Sequence, residues 1–89
     1  MAFLFNPRTS PLGEHVRPKD GKSFSLAELQ EMVGGTIEII HLPDGWWLVV
    51  NDEGKLLRLP YNLAATVIYN RKDDFIVGNA VYCAPDEIE

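Results

Sequence analysis

Apolar positions in this chain fall into short runs divided by turn residues, and the spacing within each run indicates an element. Ala2–Phe5 is apolar and stops at Asn6-Pro7, which predicts a short strand entering a turn. Residues 8–23 are rich in proline, glycine and charge. They read as a loop, with a second short strand near Glu14–Arg17 and a turn at Asp20-Gly21.

A helix is predicted over Leu26–Val33. Ser25 and Glu28 stand at the spacing of a capping box, in which each side chain satisfies a backbone N–H left free at the helix start. Phe24 before the cap and Leu29 within the first turns form a hydrophobic staple. Leu26, Leu29 and Val33 share one face with Met32 beside them, and Gly34 supplies a left-handed stop. About two turns cannot stand alone in water, so this helix must dock on a sheet.

Thr36–Leu42 and Trp46–Asn51 read as strands joined at Pro43-Asp44-Gly45, with Lys55–Leu59 as the third strand of a meander that Pro60 ends. Asn62 is placed to cap a second helix, Leu63–Tyr69. Phe75–Val77 and Ala80–Ala84 read as final strands around Gly78-Asn79, and the acidic tail Pro85–Glu89 reads as frayed. The expected fold is therefore α+β: a small, mainly antiparallel sheet with a three-strand meander and two short helices on one face, forming one domain over residues 1–89.

Composition narrows the function. The chain has 89 residues, 46% of them hydrophobic and 24% charged, as in ordinary globular proteins. Its net charge of −5, with Lys and Arg dispersed, argues against strong nucleic-acid binding, which depends on clustered cations. Cys83 is the one cysteine, which excludes an internal disulfide framework and points to a reducing, cytoplasmic setting. The start shows no signal peptide, and no run reaches the length of a membrane span.

No catalytic motif emerges. The glycines form neither a dinucleotide nor a P-loop pattern, and Ser10, Ser23 and Ser25 lack a nucleophile-elbow context. His15 and His41 have no partner at metal-ligand spacing, so no metal or cofactor is expected. Cys83, in an apolar strand, reads as a small buried hydrophobe. Asp52, Glu53, Asp73 and Asp74 read as solvated turn carboxylates. The remaining candidates for a ligand or partner are Trp46, Trp47, Arg58, Tyr61 and Asn62, with Asn51 nearby. Adjacent strand tryptophans point to opposite faces, so one ring is a candidate stacking surface. Asn62 at a helix start is placed to meet an anion, although a plain capping role is simpler.

The segments SLAELQEMVGGTIEIIHLPDG, VVNDEGKL, LPYNLAATVIY and DFIVGNAVYC, in this order and spacing over residues 25–84, resemble the family called domain of unknown function 3846. The resemblance implies an accessory protein of phages, plasmids or mobile elements and supplies no reaction. Trp46-Trp47 departs from the smaller residues usual there.

The leading expectation is a non-enzymatic binding or interaction module acting on a host protein. A second reading is a sequestering protein for a nucleotide-like small ligand, and a third is an enzyme, disfavoured for want of a catalytic constellation. A homodimer is also expected, through unguarded apolar strands at Phe75–Val77 and Ala80–Ala84, with Trp, Arg58 and Tyr61 lining a groove for a planar anion.

Overall fold

The computed structural model describes residues 1–88. Five strands form one antiparallel sheet in the order β2-β1-β5-β4-β3, where β1 is Ala2–Asn6, β2 Ser10–Val16, β3 Ile37–His41, β4 Trp47–Asn51 and β5 Ala80–Cys83. Helix α1 (Leu26–Val33) and helix α2 (Leu63–Tyr69) complete an α+β fold. No helix among the described residues is long and apolar enough to cross a membrane.

The central strand is β5, and its position explains the largest departure from the expected topology. Its residues AVYC are nearly all apolar, as a strand covered on both faces requires. It pairs with β1 on one side and β4 on the other. With β3 on its other side, β4 has no edge left for the expected third meander strand. Residues 52–58 instead wind into successive turns. The Asn51 side chain accepts from Glu53 N–H, Leu57 N–H bonds to Glu53 C=O, and Leu59 N–H bonds to Gly54 C=O. Arg58 ends the coil in the left-handed region at φ 55°. Lys55 and Arg58 could not occupy a doubly covered strand without burying unpaired charge.

The helices lie on opposite faces of the sheet, which corrects the expectation of one shared face. Side chains alternate along each strand. Val49, Val81 and Cys83 pack with Phe24, Leu29 and Val33 on the α1 side, whereas Leu48, Val50 and Ala80 pack with Ala65 and Ile76 on the α2 side. The two small cores share a sheet one strand-thickness deep. Leu26, expected on the core face, is instead exposed.

Three further segments differ from expectation. Residues 10–16, inside the expected loop, pair along β1 as a hairpin, carrying His15 on a strand. Phe75–Val77 forms no strand and makes a single bridge, Val77 to Tyr61. The tail through Ile88 is tied down: Pro85–Glu87 is a 3-10 turn, Phe24 N–H bonds to Glu87 C=O at 2.6 Å, and Ile88 bridges Phe24. Glu89, the rest of that expected frayed tail, lies outside the described residues.

Helix α1 matches its predicted bounds because its signals are local. Ser25 Oγ accepts from Glu28 N–H at 3.1 Å, Glu28 returns the bond to Ser25 N–H at 3.1 Å, and Gly34 closes the helix at φ 80°. Ser25→Ala should cost about 1 kcal/mol in denaturant melts. Glu28 also accepts from Lys19 N–H at 2.9 Å. This bond, followed by that from Ser25, holds its carboxyl below the ordinary value of 4.5. A carboxyl lowered in the folded state adds stability that is present above the unfolded value and lost as pH falls through the folded one. Glu28→Gln should therefore flatten the acid limb of the stability-pH curve below about pH 4.5, and an unchanged limb would count against this bond set.

Candidate functional site

The two tryptophans stand on opposite faces, and each ring already has a partner. Trp46 packs on Tyr82, ring centroids 4.8 Å apart, on the α2 side. Trp47 stacks on its cross-strand neighbour His41 at 4.9 Å. Both rings are half-buried. The turn before them is clamped by Asp44, whose carboxylate accepts from Trp46 N–H at 2.8 Å and from the Tyr82 hydroxyl at 2.6 Å. The Tyr82 bond, then the Trp46 N–H, lowers the Asp44 pKa, and the same hydroxyl bond with burial pushes Tyr82 up to about 12. This end of β4 is a braced turn.

Asn62 is buried and its polar atoms are fully engaged. Its side-chain oxygen accepts from Ala65 N–H at 3.0 Å, capping α2, while Nδ2 donates to Phe5 C=O at 2.9 Å and Gly78 C=O at 2.8 Å. Asn51 plays a parallel part, donating to Val33 C=O at 3.2 Å and accepting from Glu53 N–H at 2.8 Å. Arg58 and Tyr61 are exposed. Tyr61 lies by Val77 and Phe75, at the opposite end of β4 from the tryptophans and roughly 13 Å along the strand direction. The five candidates therefore do not converge on one site within the chain. The strands expected to pair with a second copy are not at an edge either, since β5 is central and Phe75–Val77 is no strand.

A different concavity is present. Two adjoining hollows, of about 230 and about 560 Å³, share Glu38, Ile40 and Tyr69 and form one groove between β3 and α2. The turn at 52–56 closes one end and Pro43-Asp44 the other. Inside the groove Lys55 pairs with Asp74 and lies 4.6 Å over the Phe75 ring. Tyr69 donates its hydroxyl to Asp74 at 3.2 Å. The Lys55 bond first, then the Phe75 N–H, lowers the Asp74 pKa, while burial and then the Asp74 bond raise that of Tyr69. Among the described residues, no three His, Cys, Asp or Glu side chains converge as a metal site.

Cys83 is fully buried, and burial pushes its thiol up to about 12. A thiol reagent at pH 8 should leave the native chain unlabelled and titrate one thiol only after denaturation. Rapid native labelling would refute the packing around β5.

A family model described as Domain of unknown function (DUF3846) matches residues 5–89. The chain belongs to that family. No curated protein and no solved structure matches it. The family match takes in β2 to β5, both helices and the groove, together with the last two residues of β1. Sequence reasoning missed the groove. One signal could have found it: Leu63–Tyr69 contains no charged residue, which is unusual for a helix on the surface of a small domain.

Proposed function

We propose that this chain is a non-enzymatic binding module, a phage or mobile-element accessory protein that acts in the cytoplasm by docking to a host protein. The observation that supports this reading is the outward side of α2. Leu63 and Val67, one helical turn apart, are 65% and 66% exposed on a helix with no charge. Tyr61 and Phe75, rings 6.1 Å apart, and Leu56 beside the groove are further exposed apolar side chains. Exposed apolar side chains in this number on a small acidic domain favour a protein partner with a matching apolar face. A nucleotide-like ligand is less favoured, because the tryptophans stand at the opposite end of β4 from Tyr61.

The test is photo-cross-linking in the cells the protein comes from, with a benzophenone side chain at position 67 or, as a control, at exposed position 9. One discrete adduct with another protein is expected from position 67. It should be absent from position 9 and lost in Leu63→Glu at unchanged melting temperature. Equal labelling from both positions, or an adduct indifferent to Leu63→Glu, overturns the reading.

A further inference from the structure

The sheet has two edges, and only one is guarded. Strand β2 carries Pro11, which has no N–H, and Gly13 at φ 94°, both of which spoil a ladder. Strand β3, sequence IEIIH, has no proline, glycine or lysine, and among the described residues its ladder partner is β4 alone. Ile37, Ile39 and Ile40 are each half-buried, covered by a helix side but open at the edge.

The hydrogen-bond phase of the hairpin shows which backbone groups face out. Leu42 N–H bonds to Trp46 C=O at one end, and Asp52 N–H bonds to Thr36 C=O at the other. In an antiparallel pair, residues alternate between turning both backbone groups to the partner and turning both away. Even-numbered β3 residues therefore face β4, and Ile37, Ile39 and His41 present N–H and C=O to the open edge. A strand added there would lay alternate side chains into the groove beside Ile40 and Tyr69.

Charge selects the occupant. The groove is rimmed by Glu38, Asp52 and Glu53, none of them ion-paired among the described residues, while its cations Lys55 and Arg71 are already matched to Asp74 and Asp73. A second copy of this chain, itself at −5, would bring further negative charge to that rim. We infer that the β3 edge accepts an extended, lysine- or arginine-bearing segment of the docking partner as a sixth strand, with backbone bonds to Ile37, Ile39 and His41. This rests on the protein-docking reading above and adds the shape and charge of what docks.

Amide exchange on the full chain tests it, with a synthetic Lys-Val alternating hexapeptide, its Glu-Val twin and a Lys-Val version N-methylated at alternate residues. In the free chain, Ile37, Ile39 and His41 amides should exchange fast and those of Glu38 and Ile40 slowly. The Lys-Val peptide should slow the first three by about tenfold or more, whereas the other two peptides leave them unchanged. Glu38→Lys with Glu53→Lys should remove the effect at unchanged melting temperature. No added protection on β3, or equal protection by the Glu-Val or N-methylated peptide, overturns the inference. So does concentration-dependent protection without peptide, which would place a second copy at the edge. If the position-67 adduct persists while these peptides fail, docking stands and strand addition falls; if the adduct also fails, both fall.

Discussion

Replacing Asn62 with alanine should cost about 3 kcal/mol, a large part of the stability available to a domain this small. The truncation removes the cap of α2 and leaves Phe5 and Gly78 carbonyls without their side-chain donor. Because Asn62 is 1% exposed, water cannot readily take over those bonds. The three contacts span β1, the start of α2 and the approach to β5, segments brought together only by the finished fold. Asn62→Asp separates the cap from the tie. It keeps an oxygen for Ala65 N–H, loses both donors, and sets a carboxylate against two carbonyl oxygens. At neutral pH it should destabilise at least as much as alanine. Denaturant melts decide the matter: an aspartate variant within error of the parent would mean that the bonds to Phe5 and Gly78 add nothing.

The same residue shows what was legible in the sequence and what was not. That Asn62 caps a helix could be read from its place before Leu63–Tyr69, because capping is a local event within one turn. That it also ties Phe5 to Gly78 depends on contacts 57 and 16 residues away. Helix α1 was legible to the residue for the local reason, through Ser25, Glu28 and Gly34. Strands β3 and β4 were legible as a hairpin because a short turn joins them. The meander was misread because Lys55–Leu59 has the apolar content of a strand, yet its place beside β4 is taken by a segment from the other end of the chain. Putting both helices on one face was part of the same error. With β5 in the centre, Val81 and Cys83 call for cover on one side and Ala80 on the other. As for the candidate site, chemistry alone pointed to Trp46, Trp47, Arg58, Tyr61 and Asn62. The open edge of β3 follows from strand order and hydrogen-bond phase, which no local pattern encodes.

Phe24→Ala should be the most damaging single change, costing about 3–5 kcal/mol, as for other large aromatic truncations in cores. Phe24 is 1% exposed and is the largest side chain in the α1-side core, where it meets Leu29 and Val33 from the helix and Val81 and Cys83 from the central strand. Its backbone also receives the C-terminal segment, through the bond to Glu87 C=O and the bridge to Ile88. The tail was expected to fray because its composition is acidic, but one apolar residue, Ile88, packs against this core and holds it. Ile88→Ala should therefore cost roughly 1–2 kcal/mol, less than a full burial because Ile88 is only half-buried. The two changes should not be additive. Once Phe24 is gone, Ile88 has lost part of the surface it covers, so the double variant should lose less than the two single losses combined, by about 0.5 kcal/mol or more. A tail that frays in solution gives a different result: Ile88→Ala would be silent, the coupling would be zero, and removing residues 85–89 would leave the melting temperature where it was.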